Sequence, residues 1–145
     1  MNKNLITLIV SFLIILLVGF IDKSTSYDTS NFGDTVVFYP QHQDDETLWA
    51  ASAILEAIQE RGADNVYVVL VSYGTGIKVL KDEKYSQLSN MQKYEYRERE
   101  FLDAVKQLGV KQENIILLPR INNSESTSFE LMEQTALDFE HRFKM

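Results

Sequence analysis

Thr35-Val36-Val37-Phe38-Tyr39-Pro40-Gln41-His42-Gln43-Asp44-Asp45-Glu46 runs an apolar strand into an imidazole and three carboxylates, just ahead of a helical pattern. The end of a strand, where the chain turns into a helix, is where α/β proteins collect their chemistry. Acids there also have a plainer use, because carboxylates accept from the free amides of a first helical turn and are favoured by the helix dipole. Capping accounts for Asp44, Asp45 and Glu46. It leaves His42 unexplained, since imidazole is not a favoured cap and this is one of only 2 histidines in the chain.

The pattern downstream predicts strand then helix, three times. Residues 36–39 form the first strand, and Leu48, Ala51, Leu55 and Ile58 mark the apolar face of a helix ending at Arg61-Gly62. Residues 66–71 are a nearly continuous apolar run, the pattern of a strand covered on both faces, followed by a loop with Gly74-Thr75-Gly76. A helix over 91–108 carries Tyr94, Phe101, Val105 and Leu108 on one side, with the charged segment 95–100 facing mostly outwards, and Gly109 stops it. Residues 115–118 make a third strand closed by Pro119, and Phe129, Met132, Ala136, Phe139 and Phe143 line a last helix. Short strands joined by helices pair in parallel through right-handed crossovers, so the expected fold is α/β, a three-layer, Rossmann-like parallel sheet. Three strands leave raw edges, which reads as an incomplete sheet.

The chain has 145 residues, a formal charge of −7 and no cysteine. One core is what that length holds. No basic patch is present to neutralise a phosphate backbone, so nucleic acid is not an expected partner. Any metal must be held by imidazole, carboxylate and water. Lys3 precedes an uncharged apolar stretch over 5–21, between a signal-peptide core and the roughly 20 residues that span a bilayer. The expected organisation is a signal peptide or membrane anchor over 1–26, a Ser/Thr-rich linker over 27–34 and one domain over 35–145. By the positive-inside rule that domain lies outside the cytoplasm, secreted or tethered by its N-terminal helix.

Positions i and i+3 of a helical turn share a side, so His42 and Asp45 can converge on one point with Asp44 beside them. Imidazole and carboxylate suit a borderline ion such as Zn²⁺, and a catalytic site takes three protein ligands and a water; here two are visible. Asp44, Asp45 and Glu46 could also hold Mg²⁺ or Ca²⁺ through hard oxygen ligands. Asp44 has the place of a general base for a metal-activated water.

Pro40-Gln41-His42-Gln43-Asp44-Asp45-Glu46 resembles the His-Pro-Asp-Asp-Glu signature of the PIG-L (LmbE-like) zinc-dependent N-deacetylases. Tyr73-Gly74-Thr75-Gly76 falls where that family has a glycine-containing loop after its second strand, and Arg97-x-x-Glu100, with Leu108-Gly109-Val110 closing the same helix, is similar to its Arg-x-x-Glu helix. The resemblance implies His42 and Asp45 as zinc ligands, Asp44 as general base, Arg97 as a substrate contact, and an N-acetylglucosamine-type sugar or glycan as substrate. Glu46 is a supporting carboxylate or first-turn charge.

Two departures stand out. Gln43 occupies a position that is usually proline in the family, and no His-x-x-His follows to supply the third ligand. His141 is the one other imidazole, expected on the polar face of the last helix. The reading is therefore an exported N-deacetylase whose chain stops before the metal site is complete, the alternative being an inactive, truncated or degenerate relative. Oligomeric state is not legible.

Overall fold

The structure is a computed structural model that describes residues 30–74, 78–124 and 127–143. The apolar stretch over 5–21 and Thr75-Gly76 lie outside the described residues. Among the described residues no helix is long and apolar enough to cross a membrane.

Three parallel strands form the sheet: β1 (Val36–Phe38), β2 (Val66–Leu70) and β3 (Ile115–Leu117), in the order β1-β2-β3. Val36, Val37 and Phe38 pair with Val66, Tyr67 and Val68, and Val68, Val69 and Leu70 pair with Ile115, Ile116 and Leu117. β2 is central and every residue in it is buried, as its unbroken apolar run predicts. Successive side chains on a strand point to opposite faces, so Val66, Val68 and Leu70 serve one core and Tyr67 and Val69 the other.

The first core is covered by α2 (Ala51–Arg61) and α4 (Asn90–Gln107), which bury Ile54 and Ala57, and Tyr94, Phe101 and Val105, against the sheet. The second is covered by α6 (Phe129–Phe143), whose Phe139 packs edge-on to Tyr67 with ring centroids 5.1 Å apart. Helices thus flank a parallel sheet on both faces, and the α/β expectation holds. Fully burying one such aliphatic or aromatic side chain contributes about 1.5 to 3 kcal/mol. Among the described residues there are also the short helices α1 (Asp45–Leu48), α3 (Glu83–Ser86) and α5 (Leu118–Asn122).

Two expectations need correction. The helix after β1 is not continuous: the chain breaks at Trp49-Ala50 between α1 and α2, which resets the helical phase. Leu48, before the break, is exposed; within α2 the inward stripe runs through Ile54 and Ala57 with Ile58 half-buried, and Leu55 lies off that stripe and is exposed. Within α4, the charged segment does face outwards except for Arg97, which is 5 % exposed. It follows Tyr94 by three positions and precedes Phe101 by four, which places it on the buried stripe.

α4 starts one residue before its expected boundary because Ser89 and Gln92 form a capping box: Gln92 N donates to Ser89 Oγ and Ser89 N to Gln92 Oε1. Residues 30–34 run against α2, with the Asn31 side chain donating to Glu56 Oε1 and the Phe32 carbonyl accepting from Arg61 Nε at 3.0 Å.

Candidate active site

Past the ends of the strands, the loops that leave β1 and β2 stay zipped together. Val71 N donates to the Pro40 carbonyl at 3.1 Å, and Ser72 donates to the Gln41 carbonyl through both its amide, at 3.0 Å, and its hydroxyl, at 2.8 Å. This carries His42 and Gly74 up side by side. Gly74 has φ +58°, and a Cβ there would stand 2.5 Å from Arg97 Nη1, 2.8 Å from Gln43 Oε1 and 3.1 Å from the His42 Cβ. The position admits no side chain.

Asp44 has φ 100° and ψ −26°, a backbone that non-glycine residues rarely adopt. Its surroundings hold it there from three sides. Its amide donates to Glu46 Oε2 at 2.8 Å, its carbonyl accepts from Thr47 N at 3.0 Å, Leu48 N at 2.9 Å and Thr47 Oγ1 at 2.9 Å, and its carboxylate lies 3.1 Å from Arg97 Nη2. Strain of this kind costs about 1 to 3 kcal/mol and persists where neighbours over-determine it, commonly at active sites.

The strained turn brings His42 and Asp45 together. Asp45 Oδ2 accepts from the His42 amide at 2.9 Å and lies 3.8 Å from His42 Nδ1, with about half of the imidazole exposed. The Asp44 side chain is half-exposed beside them. Arg97 reaches the same turn from α4, donating through Nη2 to the Gln43 carbonyl and through Nη1 to the Gly74 carbonyl. One guanidinium therefore holds both loops and Asp44.

Glu46 and Gln43 are buried beneath this surface, each 2 % exposed. Burial raises the Glu46 carboxyl above its ordinary range; the amides of Glu46 and Asp44 work against the rise, and the charges of Asp44 and Asp45 add to it. Both side chains line a cleft of about 280 Å³ shared with Asp44, Thr47, Arg97 and Glu100. Asp45 borders a second hollow of about 380 Å³ with Tyr39 and Trp49. Trp49 is 81 % exposed there, whereas Tyr73 is core and stacks on Tyr94.

A family model described as PIG-L, GlcNAc-PI de-N-acetylase, matches residues 36–139, starting at the first residue of β1. The chain belongs to the PIG-L family. Its deacetylases are generally metal-dependent. No curated protein and no solved structure matches the chain.

The site residues fit a PIG-L metal in part. Two donors on one tetrahedral Zn²⁺ stand roughly 3.4 Å apart, given bonds of about 2.0 to 2.1 Å. The 3.8 Å between His42 Nδ1 and Asp45 Oδ2 is close to that separation. Among the described residues, however, no group of three or more His, Asp or Glu side chains is placed to hold an ion. Asp44 is turned to Arg97, and His141 is exposed on α6, as the sequence reading had it.

The spacing of His42, Asp44 and Asp45 predicts their convergence and the structure places them together, while Arg97, implied by the resemblance as a substrate contact, stands 3.1 Å from Asp44. Glu46, expected as a supporting carboxylate or first-turn charge, accepts from the Asp44 amide, whereas the burial of Gln43 was not read from the sequence. The signal for Glu46 was present in its spacing, since a carboxylate two residues past a strained amide can reach back to it.

Proposed function

We propose that this chain is a Zn²⁺-dependent N-deacetylase acting on an N-acetylglucosamine-type sugar, with His42 and Asp45 as metal ligands, Asp44 as general base and Arg97 as the residue that orients it. The observation carrying this reading is the His42–Asp45 approach at 3.8 Å with a backbone-strained Asp44 between them, inside a PIG-L match.

When bound, Zn²⁺ supplies Lewis acidity towards an acetamide carbonyl and acidifies a water to a pKa of roughly 7. The chain's residues do the rest. Asp44 takes the proton of the attacking water and returns it to the departing sugar amine, so the amide C–N bond breaks, acetate leaves and the protons balance. Arg97 fixes one carboxylate oxygen of Asp44 and borders the cleft through which a substrate ring reaches it. The amide of His42 ties Asp45 Oδ2, which keeps the two ligands in register.

The apolar stretch over 5–21 supports export or membrane anchoring, with the domain outside the cytoplasm. The test is metal content and acetate release from N-acetylglucosamine conjugates by the full chain and by His42→Ala. Loss of both in the variant supports the reading; unchanged zinc and turnover reject it. A second reading, a relative that keeps the fold without turnover, is favoured by the lack of a third donor among the described residues. Acetate release by the chain excludes it.

A further inference from the structure

Gln43 is 2 % exposed, yet among the described residues neither its Nε2 nor its Oε1 has a hydrogen-bond partner. An unmatched buried amide is destabilising, whereas an apolar side chain of similar shape is not, so its presence calls for a use. Space has been made for it: Gly74 carries no Cβ where one would come within 2.8 Å of the Gln43 Oε1. The side chain lines the 280 Å³ cleft with Asp44, Glu46, Thr47, Arg97 and Glu100. The last torsion of glutamine is soft, so its oxygen and nitrogen can exchange places at the cleft wall that the residue lines.

The lining decides what the amide meets. Asp44, Glu46 and Glu100 disfavour an anion, and Arg97 is already occupied by Asp44 and the carbonyls of Gln43 and Gly74. His42 and Asp45, the proposed metal donors, do not line this cleft, so the metal is not the partner of the amide. A hydroxyl remains, because it donates and accepts at one atom as a primary amide does at two. The volume falls just under that of ligand clefts, roughly 300 to 1,000 Å³, and suits no more than one ring.

We infer that Gln43 is a specificity residue whose carboxamide takes a ring hydroxyl of the substrate in the cleft beside Asp44. The sugar class rests on the deacetylase reading; the hydroxyl subsite rests on the unpartnered amide and the cleft.

The test uses the full chain, stripped of metal by chelation, with N-acetylglucosamine and its monodeoxy analogues as probes in ligand-observed NMR. For the wild type, one deoxy analogue binds about 10-fold more weakly than the parent sugar. Gln43→Leu binds the parent about 10-fold more weakly, no longer distinguishes that analogue, and raises Tm by about 2 to 4 °C. Equal binding of all sugars by the wild type, or no sugar binding at all, overturns the inference. So does Gln43→Leu binding that matches the wild type, or a lower Tm in the variant, which marks the amide as structural. Should Gln43→Leu not fold, the analogue series on the wild type decides alone. Acetate release, measured separately on metal-loaded wild type and His42→Ala, separates the two claims: sugar binding with the hydroxyl pattern but no turnover removes the deacetylase, and turnover without the pattern removes the subsite.

Discussion

The Arg97 guanidinium stands 3.1 Å from the Asp44 carboxylate while donating to the backbone carbonyls of Gln43 and Gly74. One buried side chain on α4 thus joins the loops after β1 and β2 to the proposed base. Lysine brings the charge without the planar fork that reaches several acceptors at once. Arg97→Lys is expected to lower unfolding free energy by about 2 to 4 kcal/mol in urea titration, since it leaves buried acceptors unmatched. It also lowers kcat more than it raises KM. Unchanged stability would show the fork to be dispensable.

Gly74 is the tightest point of the site. Alanine there meets both a φ of +58° and a Cβ position 2.5 Å from Arg97 Nη1. Gly74→Ala should cost about 1 to 3 kcal/mol from the backbone alone, read by thermal or chemical denaturation. Its effect and that of Arg97→Lys should be less than additive, because both loosen the same contact.

Ligand and base roles separate by metal content. His42→Ala is expected to lose zinc and to lower turnover by more than about 100-fold, beyond what removing an outer partner of a metal ligand costs. Asp44→Asn should keep zinc while kcat falls by about 10² to 10⁴. Atomic absorption alongside acetate release checks both, and zinc loss in Asp44→Asn would move that residue into the metal's ligand set.

Glu46 predicts a pH dependence in the metal-free protein. Its carboxyl is raised above 4.5 by burial first. An acid with a higher pKa folded than unfolded holds its proton more tightly when folded. Its contribution is therefore full below pH 4.5 and is lost as pH climbs through the raised value. Glu46→Gln stays neutral and keeps an acceptor for the Asp44 amide. The variant's stability relative to wild type should accordingly grow from acidic to neutral pH, measured by urea denaturation at several pH values. A flat difference would place the Glu46 proton equilibrium outside that range.

The elements whose periodicity is unbroken were legible from sequence. β2 reads as a doubly covered strand and is one, and the Phe139 stripe predicts how α6 packs. Leu48 misled because a period assigns faces only along a continuous helix, and the break at Trp49-Ala50 makes the two halves independent. The burial of Arg97 was invisible for another reason: its backbone acceptors lie 23 and 54 residues away along the chain. Local pattern therefore reads Arg97 as one charge among many. His42 and Asp45 were legible because three residues of spacing fix their approach.

The left-handed turn at Asp44 also limits what mutational drift can explore. Asparagine and glycine enter that conformation with least penalty, whereas valine, isoleucine and threonine oppose it with their branched Cβ. In a saturation library selected for folding alone, position 44 should return Asp, Asn and Gly while β-branched residues drop out. The shape of the main chain would then preserve the acid's address even in descendants that no longer use it.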